Sequence, residues 1–233
     1  MSTALRSRTP AGLLRRGMLA GTAVLTATAT ALLPVSPAWA HAELKATTPA
    51  ADSTVAKAPA SVHVTFSEKV SGASTGLRVL DVKGAVRSRP ATYSGSSVSA
   101  ATPGLPKGRY ALVWSVVSGD GHRVTSARAF SVGLPTPAAP AKTLSMTDGS
   151  GKKRTARLSG DRVGVRSLAL PVRAIDGTVS LSHPKLPTAL VWKAAGRSAR
   201  GMLPFPGTYS VTVRVRVSQF HEVVLVGSLT ARS

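Results

Sequence analysis

Beyond residue 40 the sequence predicts an all-β protein made of two successive sandwich-like or barrel-like units. Short runs alternate apolar and polar residues with a period of two, as in Ser61-Val-His-Val-Thr-Phe66, where Val62, Val64 and Phe66 share one face. Turn formers punctuate these runs, with 21 Gly and 16 Pro in 233 residues. Aromatic residues make up only 4% of the chain, so the core of such strands must be built mainly from Val, Leu and Ala.

The first 40 residues stand apart. Arg6, Arg8, Arg15 and Arg16 precede a small-apolar run from Met18 to Leu33, Pro34 and Pro37 break it, and Ala38-Trp39-Ala40 offers a small-x-small cleavage pattern. This is the layout of a signal peptide cleaved after Ala40. Arg15-Arg16 also loosely suits a twin-arginine signal, which leaves the export route open. Cleavage there makes His41 the first residue of the exported chain. Its free α-amine and its imidazole Nδ1 can then close a chelate ring on one metal ion, which no internal histidine can do.

In the unit at 41–133, Leu77-Arg-Val-Leu-Asp-Val82 leads into a hairpin-like turn at Lys83-Gly84. Tyr110, Leu112, Trp114 and Val116 alternate with Ala111, Val113, Ser115 and Val117, so both faces are largely apolar and the strand is predicted to be central. Residues 134–142 form a Pro/Ala linker, extended and stiff. The second unit, 143–233, has its clearest strand at Tyr209–Val217. Tyr209, Val211, Val213, Val215 and Val217 face one way there, opposite Thr212, Arg214 and Arg216. Val223–Leu229 is its expected partner, joined through a turn at Ser218–Glu222.

Composition excludes several classes. There is no cysteine, hence no disulfide, thiolate metal site or iron–sulfur cluster. The formal charge is +21; without the four leader arginines it is +17, from 26 Lys and Arg against nine Asp and Glu. Such a balance favours anionic surroundings, including peripheral contact with an anionic envelope surface. Outside Lys152-Lys153-Arg154 the cations are dispersed and have no interleaved aromatic residues, so nucleic acid is not an expected partner.

The metal chemistry gathers at Ser118-Gly-Asp-Gly-His122. In extended backbone Asp120 and His122 point to the same side. Gly119 and Gly121 equally permit a tight bend, and either arrangement offers one carboxylate oxygen and one imidazole nitrogen. With the amine and imidazole of His41 the set becomes three nitrogens and one oxygen. That set suits tetragonal Cu(II) better than tetrahedral Zn(II).

His41-Ala-Glu-Leu-Lys-Ala-Thr-Thr-Pro-Ala50, Ala58-Pro-Ala-Ser-Val62 running into Val64-Thr-Phe-Ser-Glu68, and Gly108-Arg-Tyr-Ala-Leu-Val-Trp-Ser-Val-Val-Ser-Gly-Asp-Gly-His122 resemble the CopC family of copper-resistance proteins. The resemblance spans residues 41–133. It implies a small β-barrel of cupredoxin-like or immunoglobulin-like form, with His41, Asp120 and His122 as Cu(II) ligands. Glu68 matches an acidic residue near that site in some members, as a supporting group or as an ordinary strand-end carboxylate. A CopD-like membrane transporter is the partner the family implies. Some members also carry a methionine-rich Cu(I) loop; here Met146 and Met202 both lie outside the first unit, so no Cu(I) site is expected. Pro206–Phe220 looks like the β-sandwich segment called YtkA-like that follows CopC-like domains in some copper-transport fusions.

The expected function is an exported, non-enzymatic copper carrier or buffer. One alternative is an adhesive β-sandwich with a vestigial site. Another is a histidine-brace copper oxidase acting on polysaccharide. Asp120 would crowd the oxygen position such an enzyme needs, and Trp114 and Trp192 are the only tryptophans after residue 40. His63, on the polar face of its strand, reads as a surface histidine, and the sequence offers His183 and His221 no partner. The intact mass of the exported protein should equal that of residues 41–233; a different first residue would remove the chelating amine.

Overall fold

A computed structural model describes residues 42–233, with the side chains of 73–75 left aside; the leader reading and His41 lie outside the described residues. The described chain contains strands and turns and no helix, so no helix is long and apolar enough to cross a membrane. The first half holds β1 (Leu44–Thr48), β2 (Thr54–Val55), β3 (Ser61–Phe66), β4 (Val70–Leu80), β5 (Thr92–Ser94), β6 (Ser97–Ala101), β7 (Gly108–Ser118) and β8 (Arg123–Val132). The second holds β9 (Lys142–Asp148), β10 (Lys153–Leu158), β11 (Gly164–Ser182), β12 (Leu190–Leu203), β13 (Gly207–Ser218) and β14 (His221–Ala231). The all-β class expected from the alternation is therefore what the chain adopts.

One four-stranded sheet has the order β1-β3-β6-β5. The second sheet runs β10-β9-β14-β13-β11-β12-β8-β7-β4 and so extends through both halves. β11 is long and irregular. Its C-terminal part pairs with β13 from Asp176↔Arg216 to Ser182↔Ser210, and its earlier part pairs with β10 at Leu168 and Ala169. That double pairing closes the strands of the second half into a barrel-like ring. The join between the halves is a parallel contact of β12 with β8 at Leu190↔Ala127.

The two apolar faces of β7 have separate destinations. Tyr110, Leu112, Trp114 and Val116 pack with Val62, Val64, Phe66 and Phe130 in the first core. Ala111 and Val113, on the other face, join Ala127 and Ala129 of β8 and pack with Leu190, Trp192 and the rest of the second core. Strand β7 is central because it is a wall of both cores. β3 and β13 follow their predicted alternation: Val62, Val64, Phe66, Tyr209, Val211, Val213 and Val215 are buried while His63, Arg214 and Arg216 are exposed. β14 is the partner of β13, and only Gln219 and Phe220 are needed for the turn, because Ser218 already pairs with His221.

Each half also carries a tyrosine whose hydroxyl ties a strand start to the loop before it. Tyr110 donates to the Pro106 carbonyl at 2.7 Å, and Tyr209 donates to the Phe205 carbonyl at 2.8 Å while accepting from the Phe205 N–H at 3.0 Å. Both follow a Pro-Gly-containing turn, the arrangement of the tyrosine corner in β-sandwiches. Burial pushes the Tyr209 hydroxyl pKa up, which keeps it neutral and able to donate.

The Pro/Ala stretch carries no regular structure from 134 to 141, and Lys142 already belongs to β9. It is pinned on both sides: Arg109 donates to the Pro135 carbonyl at 2.8 Å, and the buried Arg166 donates to the Pro137 carbonyl at 2.9 Å. Two further ties join the halves. Lys185 Nζ donates to the Val82 carbonyl at 2.8 Å, and the Met202 N–H donates to Asp52 Oδ1 at 2.6 Å. Close packing constrains β12 as well: a Cβ at Gly201 would lie 2.1 Å from the Trp192 ring, so the indole lies directly over a position that only glycine can fill.

Trp114→Ala should cost about 3–5 kcal/mol of unfolding free energy. Because β7 walls both cores, Trp192 fluorescence should report the same lowered denaturant midpoint as far-ultraviolet circular dichroism. Two separated transitions would contradict the shared wall.

Candidate metal centre

The turn between β7 and β8 is built by hydrogen bonds within the Ser118–His122 motif. The Ser118 N–H donates to the His122 carbonyl at 2.9 Å, and the Gly121 N–H donates to the Ser118 carbonyl at 2.9 Å. Gly121 has φ +84°, a left-handed conformation that glycine adopts without strain. The chain therefore takes the tight bend and not the extended arrangement that the two glycines also allow.

Within this bend the two predicted ligands meet. His122 Nδ1 lies 2.9 Å from Asp120 Oδ2, and the His122 N–H donates to Asp120 Oδ1 at 3.1 Å. The Ser118 hydroxyl donates a short hydrogen bond to the same Oδ1. That hydroxyl, with the His122 contacts, holds the Asp120 carboxyl well below the usual carboxylate range. The result is a carboxylate that stays ionised below the usual carboxylate range, beside an imidazole whose side chain is 64% exposed. Ser118 is a member of the motif whose role residue spacing did not reveal. A serine two residues before an aspartate in a glycine-flanked turn was the available signal.

The start of the described chain is fixed close by. Ala42 is buried in the first core, the Glu43 N–H donates to Ser67 Oγ at 2.9 Å, and the Ser67 N–H returns a bond to the Glu43 carbonyl at 2.9 Å. Next to Ser67, the Glu68 carboxylate approaches the turn: its Oε2 would lie 3.8 Å from a Cβ at Gly119. Glu68 Oε1 is buried and has no hydrogen-bond partner among the described residues. A buried carboxylate oxygen with spare acceptor capacity fits a site that is completed by an N–H donor. Among the described residues no group of three or more His, Asp or Glu could hold a metal by itself. Asp120 and His122 supply two donors, and the third predicted ligand, His41, falls outside the described residues.

The remaining histidines lie elsewhere. His63 is exposed and pairs with Ser61 Oγ at 2.9 Å, as a surface histidine should. His183 is buried against Tyr209 at 4.6 Å between ring centroids and accepts the Lys185 N–H at Nδ1. Burial pushes its pKa down, so it is a neutral core residue. His221 is exposed beside the β13–β14 turn. Met146 and Met202 are both buried in the second core.

The CopC domain family matches residues 44–133, the segment that contains this turn and the strands that hold it. Copper resistance protein C of Escherichia coli is 36% identical over 108 residues, covering 41% of this chain and 83% of that protein. The chain belongs to the CopC family. Copper resistance protein C of Xanthomonas campestris pv. juglandis is 33% identical over 124 residues, covering 49% of this chain and 94% of the relative. Protein YobA of Escherichia coli (strain K12) is 32% identical over 99 residues, covering 40% of this chain and 80% of that protein. Among solved structures, CopC from Methylosinus trichosporium OB3b shares 27% identity with a TM-score of 0.37, covering 40% of this chain and 93% of that one. PcoC, a methionine-rich copper resistance protein from Escherichia coli, shares 30% identity with a TM-score of 0.34, covering 40% and 99%. The methionine-rich character does not extend to this CopC-family chain, which has four methionines in all.

The depressed Asp120 pKa carries a sign. The folded turn gains stability above the ordinary carboxylate pKa of about 3.9, and that gain is lost as pH falls towards the lower folded value. Removing the hydroxyl with Ser118→Ala should raise the Asp120 pKa, read by carboxyl-carbon NMR titration of the metal-free protein. An unchanged titration would show that the hydroxyl does not hold the carboxylate.

Proposed function

We propose that this chain is an exported Cu(II)-binding protein that carries or buffers copper outside the cytoplasmic membrane. On this reading His41 provides its α-amine and imidazole, while Asp120 and His122 provide an oxygen and a second imidazole. The observation that carries the reading is the Asp120–His122 pair, converged at 2.9 Å on a turn whose carboxylate is held ionised by Ser118. It is supported by Ala42, next to His41, being buried in the first core and by the Glu43 N–H bonding Ser67, the neighbour of the Glu68 whose carboxylate approaches Gly119 of the turn. Names of relatives point the same way: two are called copper resistance protein C.

Glu68 serves as the supporting acceptor. Its unpartnered Oε1 can take an N–H from a coordinated amine or imidazole and so raise that ligand's donor strength. Copper is cargo here and undergoes no turnover. A membrane copper transporter of the CopD type is the proposed receiver or source of the ion.

Electron paramagnetic resonance of the Cu(II)-loaded exported protein should show a tetragonal spectrum with nitrogen hyperfine structure. His41→Ala, Asp120→Ala and His122→Ala should each weaken binding by tenfold or more, on the order of 1.4 kcal/mol. Affinity should fall as pH drops below about 7.7, where protons compete for the amine and then for the imidazoles. Full affinity at pH values far below the imidazole range, or in His41→Ala, would mean that other atoms hold the ion.

A further inference from the structure

Three features of the second half converge at one end of its strands. The β13–β14 turn presents Phe220, which is 91% exposed. Strand β11 bulges beside it, because Asp176 pairs with Arg216 and Ile175, 56% exposed, shares a hollow with Val217, Gly196 and Arg173. The β9–β10 turn projects the same way. Leu225 pairs with Asp148, so residues 149–152 run on towards His221 and carry Lys152 and Lys153 with them.

Charge at this end is one-sided. Asp148, Asp176 and Glu222 are each matched by an arginine: Arg154, Arg216 and Arg214. Lys152, Lys153, Arg173 and Arg197 are exposed and form no ion pair with another described residue. The end therefore combines protruding aromatic and aliphatic side chains with a ring of unmatched cations.

We propose that this end of the second half is a membrane-attachment surface, with Phe220 and Ile175 entering the interface of an anionic bilayer and Lys152, Lys153, Arg173 and Arg197 meeting its headgroups. Exposed apolar groups beside cations are the mark of an interfacial anchor, in which area burial and headgroup attraction add. A soluble polyanion would satisfy the cations and leave Phe220 in water. A symmetric contact with a second copy would set the cations against their own image. The parallel contact Leu190↔Ala127 orients the surface relative to the copper turn. β12 runs alongside β8 in the same direction, so its Gly196 bend lies beyond Val132, whereas Ser118–His122 precedes Arg123. The two ends are separated by on the order of 30 Å along the strands. Attachment would thus leave the Asp120–His122 turn facing away from the lipid.

The test uses the processed chain, its first residue checked by intact mass, in co-sedimentation with phosphatidylcholine vesicles with and without phosphatidylglycerol. The wild type should sediment with the anionic vesicles and be released by salt. Phe220→Ser combined with Ile175→Ser should lower partitioning roughly tenfold or more. Replacing Lys152 and Arg173 by glutamine should flatten the salt dependence. Thermal midpoint and Cu(II) affinity should be unchanged in all variants, which keeps this outcome separate from the copper reading. No sedimentation of the wild type would overturn the proposal. So would equal loss on adding a soluble polyanion with no effect of the Phe220 and Ile175 changes, or Phe220-dependent self-association in place of vesicle binding.

Discussion

The two-sided burial of β7 is the constraint on which the rest depends. A strand in a single sandwich has one face in the core and one available to water. Here Leu112 and Trp114 belong to one core while Ala111 and Val113 belong to another. The small residues Ala111, Ala127 and Ala129 on the second face let the two halves approach closely, and the larger residues on the first face fill the first core. β7 and β8 are thereby held rigidly from both sides.

That rigidity reaches the metal turn directly, because Ser118 ends β7 and Arg123 begins β8. Only four residues lie between two well-paired strands, so the backbone of the turn has little freedom. Its internal hydrogen bonds then decide where Asp120 and His122 point. A candidate donor pair preset in this way would lose little entropy on binding an ion. Ser118 has two roles in the arrangement, closing the turn with its backbone N–H on the His122 carbonyl and holding Asp120 ionised with its hydroxyl. The Glu68 oxygen beside the turn is the local opposite, a buried acceptor that no donor among the described residues meets.

Much of this was legible in residue order. The alternation in β3 and β13 names their buried faces, and the apolar character of both faces of β7 marks it as central. The Asp-Gly-His spacing identifies the candidate ligands. Other features were not legible. The Pro/Ala stretch reads as an extended, stiff linker, yet Arg109 and Arg166 hold its carbonyls, and nothing local in those arginines announces it. The repeated tyrosine at the start of β7 and β13 was visible as a Pro-Gly-x-Tyr or Pro-x-Gly-x-Tyr pattern, but its meaning depends on a hydroxyl reaching back four residues.

The order of residues by itself determined the β class, the faces of the main strands, the family and which side chains are candidate donors. These depend on periodicity and on chemistry carried by neighbours in the chain. Tertiary structure decided that one strand walls two cores, that the glycine-flanked motif bends, and that Phe220, Ile175 and Lys152 share an end. The first and last are relations between segments distant in sequence, and the bend is one of two local conformations that the glycines allow. Pairing register and packing set the long-range relations, and no local pattern encodes either.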